Sequence, residues 1–453
     1  MRRMIATLAL LVALIAPGGT ALFASTMPDP RAVISETGGL VYDRDYPFLH
    51  YSDPPSHNDI ARLQKRLNDG TVILHATPEH GYLDSVLAAL NINPDSQALV
   101  FSKTSLQVDA ISAATPRAIY FNDDTYVAWV QQTGILEIVT MDADLGPVFY
   151  TLSAADTQPH LERQTLRCLT CHDSFAEMGG GVPHFLFESI YDMEGNKLIP
   201  DAISRETSIE TPIAQRWGGW YVTGKDGGAL HLGNIQQPLA RSPINLEKVR
   251  RGSLQSLDTL FDTSPYLRPT SDIVALLVLE HQVTLHNAII HANYKSRFVL
   301  NKLQPSSDVA TLHWAQLPGP LQTRLDLLLQ PLVDALLLSH AAPLLGKVQG
   351  SSGYAAWFQA QGPKDAGGRS LRQLDLDSRV FRYPLSFLIY SEGFDALPLF
   401  AREHVYAKLA QILRAPAPGA PYDNRSAADR QAAFEILVAT KPEFARTVST
   451  LNN

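Results

Sequence analysis

Residues 116–130 read PRAIYFNDDTYVAWV. Two runs of β-branched and aromatic residues, RAIYF (117–121) and TYVAWV (125–130), flank the turn-forming triplet Asn122-Asp123-Asp124. That pattern is a β-hairpin signal. The same grammar continues in both directions. GILEIVTM (134–141) and PVFYTL (147–152) are strand-like runs split by DADLG (142–146). FLFESIYDMEGNKLI (185–199) reads as another hairpin, and WYVTGKDGGALHL (220–232) as two short strands around a glycine turn. Before the hairpins, HNDIARLQKRLND (57–69) and GYLDSVLAALNI (81–92) have helical spacing. Residues 25–56 are rich in proline, aspartate and tyrosine and read as an extended arm.

At Ser271 the character changes. SDIVALLVLEHQVTLHNAIIHANYKSR (271–297) is a long helical pattern with Ser271 or Asp272 as its cap. GPLQTRLDLLLQPLVDALLLSH (319–340), the stretch 384–414 and SAADRQAAFEILVAT (426–440) are helical as well, and RAPAPGAPYDN (414–424) is a loop. Strands first and helices afterwards, with no internal repeat, give an α+β class: a β-rich N-terminal part, a central segment and a helical C-terminal half. The expected division is 1–25 as a signal peptide, 26–158 as a β-rich domain, 159–240 as the central segment and 241–453 as a mainly helical domain.

The N-terminus, MRRMIATLALLVALIAPGGTALFAS, has basic Arg2 and Arg3, an apolar core from Ile5 to Ala16, and then small residues. This is the form of a secretory signal peptide, too short to span a bilayer comfortably; a retained anchor is the alternative. No other stretch reads as a membrane span, so the expected location is periplasmic or secreted. The formal charge is −8, and removal of Arg2 and Arg3 takes it to −10. At 45% hydrophobic and 18% charged residues the composition is globular. No basic patch or Lys/Arg run suggests nucleic acid as a partner.

The 453 residues contain two cysteines, and both lie in RCLTCHDS (167–174). A disulfide between Cys168 and Cys171 would close a tiny loop and add little stability to so long a chain. Three readings remain. A structural zinc site wants four ligands, and no second cysteine pair or nearby His-x3–5-His follows. A thioredoxin-like pair sits where a strand opens into a helix, and no clear strand precedes this one. The third is C-x-x-C-H, covalent haem attachment: two thiols on one helical turn meet the two vinyl groups of haem, and the next imidazole reaches the iron. Export agrees with the third reading, because haem of this type is attached outside the cytoplasm.

CLTCH (168–172) resembles the haem-binding motif of c-type cytochromes. SQALVFSKTSLQ (96–107), PRAIYFNDDTYVAWV, RWGGWYVTG (216–224) and the stretch 369–398 are similar to parts of large bacterial cytochrome c domain-containing proteins, a likeness that carries no activity. The resemblance implies one covalent haem c, with Cys168 and Cys171 as the thioether positions and His172 as the proximal iron ligand. The chain departs from a small cytochrome c in its size and in lacking an obvious distal methionine downstream.

Candidates for the other face of the haem are therefore needed. Met178 follows His172 too closely to wrap a macrocycle. Met193 could reach. His231, with Ala229 and Gly233 on one face of an expected strand and Trp217 and Trp220 nearby, is the first candidate, and His281 the alternative. His281, His286 and His291 recur every five residues, about 140° apart around a helix, so they cannot serve one ion together. Arg369, Arg372, Arg379 and Arg382 could neutralise haem propionates or form a solvated basic face. Two functions follow from the cofactor. One is single-electron transfer with an unidentified redox partner protein. The other is a peroxidase- or oxidase-like haem enzyme with an open distal site and His281 or Glu280 as acid/base. A haem-based sensing or scaffold module is a weaker third option. No phosphate-binding glycine loop, G-x-S-x-G or H-E-x-x-H motif supports a nucleotide or hydrolase reading.

Overall fold

The computed structural model describes residues 51–52, 55–156, 158–172, 182–194, 197–236, 253–303 and 311–451. The expected signal peptide, most of the arm, and Met178 lie outside them. Helices α1 (Asp59–Asn68) and α2 (Leu83–Ala89) precede a six-stranded antiparallel meander. Its strands are β1 (Ala98–Val100), β2 (Arg117–Phe121), β3 (Thr125–Trp129), β4 (Ile135–Asp142), β5 (Gly146–Ser153) and β6 (Glu162–Gln164), in chain order across the sheet. Next come helix α3 (Leu166–His172), the hairpin β7 (Glu188–Glu194) and β8 (Lys197–Glu206), and β9 (Lys225–Asp226).

The C-terminal half holds α4 (Ile273–Leu303), α5 (Gly319–Leu336), β10 (Val348–Gln349), α6 (Tyr354–Ala360), α7 (Glu392–Asp395), α8 (Leu399–Arg414), α9 (Ala427–Thr440) and α10 (Pro442–Leu451). The fold is α+β, with the sheet in the N-terminal half and the helices in the C-terminal half.

Local chemistry sets the turns. The carboxamide oxygen of Asn122 accepts from the Asp124 and Thr125 amides (3.1 and 2.8 Å), which closes the β2–β3 hairpin in the register Phe121 opposite Tyr126. Asp142 repeats the device between β4 and β5, accepting from the Asp144 and Leu145 amides (3.1 and 3.2 Å). Residues 146–150 of β5 are buried without alternation, so the sheet is covered on both faces. Part of that cover is α4: Tyr126 of β3 meets His286 edge-on at 6.3 Å. Gly146, at φ +76°, leaves room for the Ile290 side chain, which a Cβ would meet at 3.1 Å.

Helix α4 is buried over nearly its whole length; among the described helices it is the one long and apolar enough to cross a membrane, and 89% of its most apolar window is buried in protein. It is a core helix. Asp272 caps it, with Oδ1 accepting from the Val274 and Ala275 amides (2.7 and 3.2 Å). Its other oxygen accepts from the Ser352 amide and hydroxyl, both at 2.7 Å, and so ties the start of α4 to the turn before α6. One hydrophobic core runs from Tyr51 to Val448 through sheet and helices.

Two expectations are corrected. WYVTGKDGGALHL does not form a strand pair: β9 is two residues long, its partner is the distant β10, and Gly227 and Gly228 (φ +66° and +85°) turn the chain away before His231. Ala229, His231 and Gly233 therefore do not share a strand face. The 384–414 stretch is divided into a 3-10 turn (Phe387–Tyr390), α7 and α8, with Pro398 at the boundary before α8.

Asp272→Ala should lower unfolding stability by about 2 kcal/mol, the upper end for a helix cap, because the bonds to Ser352 are lost with it. Urea unfolding checks this; a change of a few tenths would show that the cap is not stabilising.

Candidate functional site: the Cys168–His172 helix

Helix α3 is seven residues long and follows β6 directly, so a short strand does precede the cysteine pair, against the sequence expectation. Leu169 is buried and anchors the helix to the core, while Cys168 is half-buried and Cys171 exposed. Three residues apart, the two thiols lie on neighbouring positions of one helix face. They are not bridged. Burial pushes the Cys168 thiol up to about 12, with Glu137 adding to the shift. Burial, then Glu188, raises Cys171. Both are neutral thiols. A redox C-x-x-C needs the opposite, a thiolate stabilised at neutral pH.

His172 ends the helix. Its Nδ1 lies 2.9 Å from the carbonyl oxygen of His184, and its own carbonyl accepts from the His184 amide at 2.9 Å. A carbonyl can only accept, so Nδ1 carries the proton and Nε2 carries the lone pair. No hydrogen bond to Nε2 is present among the described residues. Burial pulls the imidazole down to about 4, against the opposing effect of the His184 bond, so the ring is neutral at pH 7. Phe149 of β5 packs on it at 4.6 Å.

The His184 ring is fully buried, 6.4 Å from the His172 ring. Both backbone groups of His184 are tied to His172. The next residue, Phe185, is held by α4: its amide donates to Asn287 Oδ1 (2.8 Å) and its carbonyl accepts from Asn287 Nδ2 (2.9 Å).

The other candidates lie elsewhere. His231 sits in a turn, its Nδ1 accepting from the Gly233 amide (3.0 Å) and its ring edge-on to Trp217 at 5.2 Å. In that arrangement its proton is on Nε2. His281 is buried, 2.8 Å from Ser386 Oγ through Nε2 and packed on Phe381 at 4.5 Å. It helps line a small cleft beside Arg216, Leu277, Leu344 and Arg379; neither cysteine is among the lining residues. Glu280, fully buried, is paired with Arg216 at 2.7 Å. His286 Nε2 lies 2.9 Å from the Asp123 carbonyl.

Met193 is on β7. The four arginines are matched by carboxylates: Arg369 by Asp365 and Glu435, Arg372 by Asp123, and Arg379 and Arg382 by Asp429. The structure thus brings Cys168, Cys171 and His172 together and, among the described residues, gives neither His231 nor His281 a contact with them.

The sequence reading missed Phe149, His184 and Asn287 as parts of this site. No protein-family model matches the chain, and no curated protein or solved structure is similar to it. Among the described residues, no group of three or more His, Cys, Asp or Glu side chains is placed to hold a metal ion on its own. Two neutral thiols on one helix face, beside a neutral imidazole with its Nε2 lone pair uncommitted, do fit a covalently attached haem.

Two buried imidazoles give a pH signature that does not depend on the thiols. Burial lowers His281 to about 3 and His286 to about 4. The unfolded chain protonates these groups near pH 6.5, while the folded chain does not until far lower. Their contribution is nearly complete above pH 7 and falls by about 2.4 kcal/mol between pH 6 and 5. Urea midpoints from pH 8 to 5 check the sign, and His281→Leu should roughly halve this part of the slope. A flat profile would show that these rings are not held neutral.

Proposed function

We propose that the chain is an exported haem protein of the c-type cytochrome kind, carrying one covalent haem c and transferring single electrons. The observation that supports this best is the His172 geometry: Nδ1–H donated to a backbone carbonyl, Nε2 free to bind a metal, and two uncharged thiols on the same helix. Each thiol would add its S–H across a vinyl double bond, forming a thioether with no leaving group. His172 would give its Nε2 lone pair to the iron, and the His184 carbonyl would hold the ring in the required tautomer. Leu169 and Phe149 would keep water from that side. When bound, haem c supplies an iron that takes up and releases one electron with little rearrangement. The N-terminal segment supports export to the periplasm or beyond, where a redox partner protein would donate or accept the electron.

A second reading, a peroxidase- or oxidase-like enzyme with an open distal site, is favoured by one observation. His231 and His281, the candidate distal ligands, are engaged by Gly233 and Ser386. For His231 to bind iron through Nε2 it would have to release the Gly233 amide and move its proton to Nδ1.

Expression with the haem-maturation machinery should give a protein that keeps haem-linked peroxidase staining on a denaturing gel, with staining weakened or abolished in Cys168→Ala. A redox titration followed by absorbance should show a single one-electron step and a low-spin, six-coordinate spectrum for a carrier. High-spin resting iron with rapid multi-turnover oxidation of a donor by peroxide would replace the carrier reading with the enzyme. Wild type without any stain would end both.

A further inference from the structure

The dipeptide His184-Phe185 has four backbone hydrogen-bonding groups, and all four are used in two opposed pairs. The His184 amide and carbonyl both face His172, at 2.9 Å each. The Phe185 amide and carbonyl both face the Asn287 side chain, at 2.8 and 2.9 Å. A carboxamide presents one acceptor and donors side by side, so it can pair with both groups of one residue as a neighbouring strand would. Among side chains, only asparagine and glutamine offer that combination. A buried pair of this kind is strongly held, because breaking either bond leaves a polar group without water.

The surroundings remove the remaining freedom. Asn287 is 8% exposed. The Phe185 ring is packed against His286 at 5.4 Å and Tyr126 at 5.2 Å. His286 is itself bonded to the Asp123 carbonyl at the tip of the β2–β3 hairpin (2.9 Å). The carbonyl that accepts the His172 proton is therefore fixed by a helix residue about a hundred positions later in the chain.

We infer that Asn287 is a positioning residue for the axial imidazole: by clamping Phe185 it fixes the His184 carbonyl, and through it the orientation and electron-donating strength of His172. This rests on the haem reading above. A firm Nδ1–H···O=C bond makes an imidazole a better donor, which favours ferric over ferrous iron. Loosening the clamp should raise the reduction potential and alter the axial-ligand signature in the spectrum. Asn287→Asp keeps the acceptor for the Phe185 amide and loses the donor to its carbonyl, whereas Asn287→Ala loses both.

The test compares holoprotein variants with equal haem content. Asn287→Ala should shift the potential upward and change the low-spin electron paramagnetic resonance signal, with a smaller change in Asn287→Asp. Asn293→Ala serves as the control, because Asn293 is buried in the same helix and its side chain reaches the Ala143 carbonyl at 3.4 Å instead. It should lower thermal stability without moving the potential. An unchanged potential and spectrum in Asn287→Ala, or an equal shift in Asn293→Ala, would reduce Asn287 to a structural residue and overturn the inference.

Hydrogen exchange on the wild-type chain, with or without haem, covers the case in which the variants do not fold. The Phe185 amide should be at least tenfold more protected than exposed loop amides and close to the α4 interior. Loop-like exchange there would overturn the clamp whatever the cofactor. Absence of haem from the wild type would instead remove the functional reading and leave the exchange result standing.

Discussion

A 31-residue helix enclosed by protein has little water to satisfy its polar side chains, so burial favours partners on neighbouring elements. In α4 most of these partners belong to other parts of the chain, while Thr284 bonds to the Glu280 carbonyl within the helix. Asp272 at its cap takes Ser352, Glu280 takes Arg216, and His281 takes Ser386. Gln282 and His286 take carbonyls of the β2–β3 turn, and Asn287 takes Phe185. The apolar side chains of the helix drive its burial. The polar ones decide which segment docks at which height, since a shift of one turn would leave several buried groups unpaired at a cost of about 1–3 kcal/mol each.

That constraint reaches the candidate site. Helix α3 is too short to be stable alone and is anchored by the buried Leu169. Its C-terminal imidazole is held from one side by Phe149 of the sheet and from the other by His184, which is fixed through Phe185 to α4. Sheet and helical half therefore meet at His172. Part of the chain's mass thus serves to hold one ring. The cleft around His281 is a separate feature between the central segment and the helical half, walled by apolar side chains and by three arginines, of which Arg216 and Arg379 are matched to carboxylates.

Legibility in the sequence followed the range of the interactions. The β2–β3 hairpin was readable because Asn122 closes it locally, and α4 because a long apolar run begins at Asp272. C-x-x-C-H was readable because its three reactive groups share one helical turn. The stretch around His231 was misread as strand because β9 pairs with Val348–Gln349, over a hundred residues away, and nothing local announces that partner. His184 and Asn287 were invisible as site residues for the same reason: a histidine after a proline and an asparagine in a helix acquire meaning only when the fold brings them to His172.

The central claim is that the Cys168–His172 helix carries haem, and tryptic mass mapping tests it most directly. Cleavage after Arg167 releases a peptide beginning at Cys168. From protein matured in the presence of the haem-attachment machinery, that peptide should carry the added mass of one haem and contain no alkylatable thiol. Recovery of the same peptide with two free thiols, or with a disulfide and no haem, would contradict the account.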